Sequence, residues 1–401
     1  MTPKITVTTF IGSQEVTAGH LYPDYRTGVF SYTTDYLSQP RAFALAPSLP
    51  LVSGPQAFQG LGPFSDSAPD RWGRKLLQRA AGKTSLGEYD YLLGVNDAGR
   101  QGATRFWCEG VVQTADGTGV PAEVDLPQLL SIADAVEQNF PDIPDVQTRR
   151  LFRATGSLGG ARPKANIKIN DQLWLAKFPK PIGDEWDIMG WEFTARSLQE
   201  KVGIAVPQGR TLTITDEAGS SRRVYLQRRF DRTLQRVRIP YISAMTALEA
   251  QDGDGGDWVD LLEFARENGA NTQELWRRLA FGYLVGNTDD HLRNHGFLYS
   301  SGSWELAPSF DVNPTPDDAF HQLSLYGSED YTLDEVLDRE ILSLCGLTEA
   351  KAKRWLQAVG PVLEGAIPEA RKNGLDTHSV SIMEPRFVHA REELRGFCGY
   401  S

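Results

Sequence analysis

Hydrophobic spacing along the 401-residue chain changes period twice. Over residues 5–51 apolar side chains come in short alternating runs, such as Ile5-Thr6-Val7 and Gly28-Val29-Phe30-Ser31-Tyr32. Gly, Pro, Asp and Ser break these runs, which predicts a small β-rich unit. Residues 64–74 carry the Ser, Asp and Pro of a helix start and lead into a helix to about residue 81. A loop over 116–124 precedes a helix over 126–139, which ends in the proline-bearing stretch 141–144. Three strands are then expected: around Phe152, over 165–170 and over 173–178, with a tight turn at Asp171-Gln172. Ile167 and Ile169 alternate with Asn166, Lys168 and Asn170, the mark of a half-buried strand. A helix over 187–202, ended by Gly203, and a strand pair at 209–213 and 224–227 complete this region. Beyond Arg238 the spacing turns helical, at 258–268, 273–285, 333–342, 349–363 and 384–397.

The chemistry concentrates in Asn287-Thr288-Asp289-Asp290-His291-Leu292-Arg293-Asn294. Asp289 and Asn294 stand at the Asp-to-Asn interval of a kinase catalytic loop, an acid to accept a hydroxyl proton and an amide to hold magnesium. Residues 295–299 and 304–307 read as a hairpin turning at Ser300-Ser301-Gly302-Ser303. Its paired outer ends make Asn294 and Asp311 neighbours, and a carboxylate plus an amide suffices for magnesium when phosphates supply further oxygens. Lys177 ends an apolar strand, where a lysine is costly to bury without an anion. Glu192 lies fifteen positions on, along the expected helix, and a lysine–glutamate pair of this kind steadies the cation that clamps ATP phosphates. Between the first two expected strands, the glycines of Ser157-Leu158-Gly159-Gly160 let backbone amides approach a phosphate. A β-rich lobe followed by a helical lobe holding the acids is a two-lobed kinase-like layout of α+β class. The boundaries are 1–110 for the first β-rich unit, 146–237 for the lysine-bearing lobe and 238–401 for the helical lobe.

Other readings of the same residues exist. Asp289 and Asp290 also suit helix caps, and His291 and His295 have the i, i+4 spacing of zinc ligands. Leu292, however, stands where zinc proteases need a glutamate base, and no third ligand is near. Asp252-Gly253-Asp254-Gly255-Gly256-Asp257 imitates a calcium loop, but a glycine occupies a ligand position.

Composition narrows the partners. A formal charge of −11 repels nucleic acid and anionic membranes, so any DNA association is expected through a partner. The basic clusters at 222–223, 228–232 and 236–238 are expected to form a solvated edge. Three scattered cysteines and an N-terminus without an apolar core point to the cytoplasm, with no membrane segment.

Six segments in order resemble the HipA family of serine/threonine kinases, the toxin halves of bacterial toxin–antitoxin pairs. They are Phe64-Ser65-Asp66-Ser67-Ala68-Pro69-Asp70-Arg71-Trp72-Gly73-Arg74, Ser157-Leu158-Gly159-Gly160-Ala161-Arg162-Pro163-Lys164, Leu175-Ala176-Lys177-Phe178-Pro179, Arg229-Phe230-Asp231-Arg232, 287–294 and Ser309-Phe310-Asp311-Val312. The resemblance implies Asp289 as catalytic base, Asn294 and Asp311 as Mg2+ ligands, and ATP bound by Ser157, Leu158, Gly159, Gly160, Lys177 and His291. The backbone at Gln227, Arg229 and Phe230 would meet the adenine. It also implies inhibitory autophosphorylation at Ser157, a helix-turn-helix antitoxin of the HipB kind, and a protein substrate in translation. Arg162-Pro163 and the segment 239–245 depart from the family's pattern, which leaves loop behaviour and substrate open. A small-molecule or lipid kinase, and a nucleotide-binding pseudokinase that scaffolds a repressor, are the alternatives.

Overall fold

The computed structural model describes residues 4–24, 26–112, 120–138, 147, 151, 154–157, 162–215, 221–251, 253–316 and 320–398. The first unit is an antiparallel sheet of β1 (Ile5–Ile11), β2 (Gln14–Pro23), β3 (Thr27–Tyr32), β4 (Gln56–Gln59), β5 (Arg105–Cys108) and β6 (Val111–Val112), in the order β4-β3-β2-β1-β5-β6. Alternation works here as expected: in β3, Gly28, Phe30 and Tyr32 are buried while the residues between them are not. The unit outruns its alternating signal because β5 returns to pair with β1, Ile5 opposite Cys108.

Asp70 caps the Arg71–Ala81 helix by accepting a hydrogen bond from the Gly73 amide at 2.7 Å. The same motif braces the rest of the molecule. Asp66 accepts from the Ser243 amide at 2.7 Å, and the other oxygen of Asp70 pairs with buried Lys164 at 2.8 Å.

The second sheet holds β7 (Lys164–Ile169), β8 (Gln172–Lys177), β9 (Gly209–Thr215) and β10 (Ser221–Arg228), ordered β7-β8-β10-β9. Its hairpin turns at Asn170 and Asp171, both with positive φ, one residue before the expected place. Trp72 and Leu76, with Leu129, Leu130 and Ala133 of the Leu126–Glu137 helix, share a core with Ile167, Trp174, Ala176 and Leu226 of this sheet. The Ile188–Lys201 helix, capped by Asp187, packs against β9 and β10. The strand expected around Phe152 requires correction. Phe152 lies outside the described residues, but Leu151, Ala154 and Thr155 are helical, and Thr155 Oγ1 donates back to the Leu151 carbonyl at 2.9 Å. The glycine-bearing segment thus joins a helix to a strand.

The third region is mostly helical around a small sheet of β11 (Tyr241–Ser243), β13 (Gly296–Ser300) and β14 (Ser303–Leu306). A short parallel pair, β12 (Gly256–Asp257) and β15 (Leu323–Ser324), flanks it. The helix expected over 333–342 is two, Leu333–Val336 and Arg339–Leu344, because Asp338 accepts from the Glu340 amide and restarts the turn. The last helix, Thr377–Cys398, runs through Pro385 rather than starting beside it. Among the described residues no helix is long and apolar enough to cross a membrane.

The basic cluster 228–232 is a buried junction rather than a solvated edge. Asp231 accepts from Arg229 at 2.7 Å, from Arg232 at 2.8 Å and from the Gly102 amide at 2.8 Å. Arg229 also donates to the Gly99 carbonyl, and Arg232 to that of Arg100. Burial opposes the Asp231 charge, yet the two guanidiniums prevail and hold its carboxyl well below the usual carboxylate range. Its contribution to stability is therefore full above about pH 4 and is lost only as pH falls further. Asp231→Ala leaves two buried cations unpaired and should cost about 3–5 kcal/mol in urea melts at neutral pH. A loss under about 1 kcal/mol would contradict this account.

Candidate active site

Lys177, at the end of β8, is the meeting point of the site. Its ammonium donates to Glu192 of the Ile188–Lys201 helix and, at 2.5 Å, to Asp311 beyond the β13–β14 hairpin. The 7% exposure of Lys177 explains why it must have anionic partners. Burial opposes its charge, but Asp311 and Glu192 raise its pKa above the ordinary lysine value. One cation shared by two acids leaves an excess negative charge. Glu192, fully enclosed, is pushed up to about 7 mainly by burial, against the pull of Lys177. Asp311 resists burial and stays at about 2, because Lys177 and Lys164 both lie close.

Lys164 is a second cation that sequence reasoning passed over. It sits opposite Lys177 in the β7–β8 register, and its partner Asp70 comes from a distant motif. The signal available was a second strand-end lysine beside the first.

The 287–294 segment is tied to the stretch after Asp311 by hydrogen bonds. The Asn313 amide donates to Asn287 Oδ1 at 2.9 Å, and both Thr315 donors reach the Gly286 carbonyl. Asp311 itself has φ of 62°, a left-handed residue at the turn of this segment. Within the loop, Asn294 donates its amide nitrogen to the Asp289 carbonyl at 3.1 Å, which leaves Oδ1 as the atom that could face a ligand. Asp289 is solvent-accessible, yet the surrounding protein raises its pKa by partial desolvation, with His291 opposing and Asp311 reinforcing the shift. Gln322, from the start of the β15 segment, donates to Asp289 Oδ1 at 2.9 Å and steadies the carboxylate. It lies 33 positions away and carries no motif, so the sequence did not reveal it.

The two histidines separate in role. His295 is buried against Asp290 at 3.0 Å and edge-on to Trp258. His291 Nδ1 is enclosed without a hydrogen-bond partner among the described residues. An orphaned ring nitrogen beside the cleft suits a ligand contact. Asp257, from the calcium-like stretch, caps the Trp258–Glu267 helix. Among the described residues no cluster of three or more His, Cys, Asp or Glu is arranged to hold a metal.

On the hinge side, Gln227 is buried in β10, opposite Leu175, and Phe230 packs on Tyr241 and on Phe310. The guanidinium of Arg229 faces the 97–102 loop, so only its backbone remains for a nucleotide. Ser157 is 1% exposed, and its hydroxyl accepts from the Gln101 amide at 2.7 Å. Gly156 beside it has φ of 71°, and a Cβ there would lie 2.5 Å from the Gly99 carbonyl oxygen, so only glycine fits. Leu158, Gly159 and Gly160 lie outside the described residues.

A β-rich lobe carrying a lysine–glutamate pair, joined through that lysine to a helical lobe with an Asp–Asn loop and a second aspartate, defines a kinase-like α+β fold. A family model described as the HipA-like C-terminal domain matches residues 156–366, and the HipA N-terminal domain matches 11–100. The chain belongs to the HipA family. It is similar in fold to HipA of Shewanella oneidensis MR-1, solved with HipB and operator DNA, with a TM-score of 0.72 at 15% identity. That similarity covers 99% of this chain and 98% of the other. A Haemophilus influenzae protein described as a candidate kinase is 25% identical over 185 residues, 40% of this chain and 54% of its own length. The Escherichia coli K12 toxin YjjJ is 27% identical over 175 residues, 39% of this chain and 38% of its own. The chain thus spans about half or less of the curated relatives it matches.

Lys177→Met removes the cation that restrains Glu192. Carbon-detected NMR titration of the carboxyls should find Glu192 moved further above about 7, and an unmoved Glu192 would show that the pair is not coupled.

Proposed function

We propose that this protein is an ATP- and Mg2+-dependent protein serine/threonine kinase that acts as the toxin of a toxin–antitoxin module. The observation that carries the reading is the Lys177 bridge, which links Glu192 in one lobe to Asp311 in the other. In this reading Lys177 contacts the ATP phosphates, with Gln227, Arg229 and Phe230 offering backbone to the adenine. The His291 ring nitrogen is available to the nucleotide. Asn294 Oδ1 and the Asp311 carboxylate form a hard oxygen set that fits Mg2+, with the nucleotide supplying the remaining ligands. Bound there, the ion would neutralise phosphate charge during transfer. Asp289 accepts the hydroxyl proton as the acceptor oxygen bonds to the terminal phosphorus and ADP departs. Its raised pKa brings it nearer the working pH, as general-base catalysis requires.

Ser157 is the self-modification site in this proposal. Its buried hydroxyl, held by Gln101, has no room for a phosphate, so phosphorylation requires the segment to leave its seat. The expelled segment then no longer serves ATP, and the enzyme is silenced. A helix-turn-helix antitoxin of the HipB kind is the proposed partner, since the similar Shewanella chain was solved with HipB and operator DNA. The −11 charge is consistent with DNA contact made through that partner. The target is proposed to be a protein of translation, and the location cytoplasmic.

Incubation with labelled ATP and Mg2+ should place label on Ser157, with Asp289→Ala reduced by at least about a hundredfold. Unlabelled wild type, or an equally labelled Asp289→Ala, would refute the reading. Gln322→Ala removes a hydrogen bond that favours the Asp289 carboxylate, so its pKa rises. The acid limb of the pH–rate profile should move to higher pH, and an unmoved limb would exclude this role.

A further inference from the structure

A cleft of about 1550 Å3 opens between the first β-rich unit and the helical lobe. One wall includes Ala57 and Gln59 of β4, and the other includes Gln251 and Gly255. Its inner end reaches His291 and Gln322, and Gln322 is bonded to Asp289. The cleft wall is therefore one hydrogen bond away from the candidate catalytic carboxylate. Its size exceeds the roughly 300–1,000 Å3 of small-molecule pockets. Its lining is evenly polar and apolar in character, with Pro47, Phe58 and Met245 beside Gln59, Thr246 and Gln322.

The β4 wall has a specific chemistry. β4 is the edge of its sheet, paired only with β3. The register sets Thr27 opposite Gln59, Gly28 opposite Phe58, Val29 opposite Ala57 and Phe30 opposite Gln56. The Gly60 amide donates inward to the Arg26 carbonyl at 2.8 Å. In an antiparallel ladder, inward bonding alternates along the strand, so Phe58 and Gln56 also face β3. Ala57 and Gln59 then direct their amides and carbonyls away from the sheet. Their side chains are exposed, and among the described residues neither backbone amide has a hydrogen-bond partner. An unpaired edge of this kind is a template for one more strand.

We infer that the acceptor is a polypeptide which adds an extended segment to the free edge of β4 and delivers its serine or threonine hydroxyl to Asp289 along this cleft. The inference rests on the kinase reading above. Backbone pairing at Ala57 and Gln59 supplies binding that is tolerant of sequence, while the opposite wall meets alternate side chains. A small alcohol could not reach both the edge and the carboxylate, and so would forgo this binding.

The test uses the full chain, labelled ATP with Mg2+, arrayed short peptides centred on Ser or Thr, and free serine, threonine and glucose as small acceptors. Ala57→Pro and Gln59→Pro each remove one outward N–H without touching the β3 ladder, as proline at an edge allows. Each should raise KM for the best peptide about tenfold, the worth of one backbone hydrogen bond, with kcat and Ser157 labelling unchanged. Ala57→Gly keeps the N–H and should keep the KM, and melting curves establish that all three variants fold. Unchanged KM in both proline variants overturns the inference, as does equal use of the free small acceptors. A sedimentation change on Ala57→Pro would assign the edge to a second copy instead, which also overturns it. Ser157 labelling without any peptide transfer removes only the cleft assignment. Absence of Ser157 labelling in wild type removes the kinase reading, and this inference with it.

Discussion

A single ammonium held between two carboxylates governs this molecule's architecture. Lys177 can be buried only because Glu192 and Asp311 surround it, and neither acid is tolerable there without the lysine. The end of β8, the face of the Ile188–Lys201 helix and the exit of the β13–β14 hairpin must therefore converge within a few ångströms. The unequal response of the two acids follows from their positions. Asp311 keeps its charge with two lysines nearby, whereas Glu192 shares one lysine, with a weaker pull from Arg162, and burial drives it towards neutrality.

The first β-rich unit is part of this arrangement. Its core is continuous with the helical lobe, where Phe43 stacks on Tyr299 at 4.1 Å between ring centres. The 97–102 loop supplies carbonyls to Arg229 and Arg232 and an amide to Ser157. Arg100 is wholly buried and serves the carbonyls of Ser67, Leu92 and Val95, so this loop is itself fixed from behind.

The elements with strong period were legible in the chain: the helices at 258–267 and 272–285, the β7–β8 hairpin, and the β13–β14 hairpin that returns Asp311 towards the loop. Lys177 and Glu192 were legible as a pair because an apolar strand ending in lysine demands an anion. What escaped reading was made by long-range contact. Gln322 has an ordinary sequence context and gains meaning only where β15 passes Asp289. Asp70 reads correctly as a helix cap, but its second oxygen is committed to Lys164, 94 positions on. The 228–232 cluster reads as a solvated edge because charge alone says nothing of the Gly99, Arg100 and Gly102 carbonyls that meet it. Local rules also misjudged the stretch beside Phe152, where tertiary packing selects helix.

The β-rich unit bonds to both lobes at once, through Asp70 to Lys164 on one side and Asp66 to the Ser243 amide on the other. Such a tie works as a cross-brace over the joint between them. Any separation of the lobes would have to break both ties, each of which is buried. In the proposed kinase, a modification at Ser157 would then stop the machine without any change in its frame.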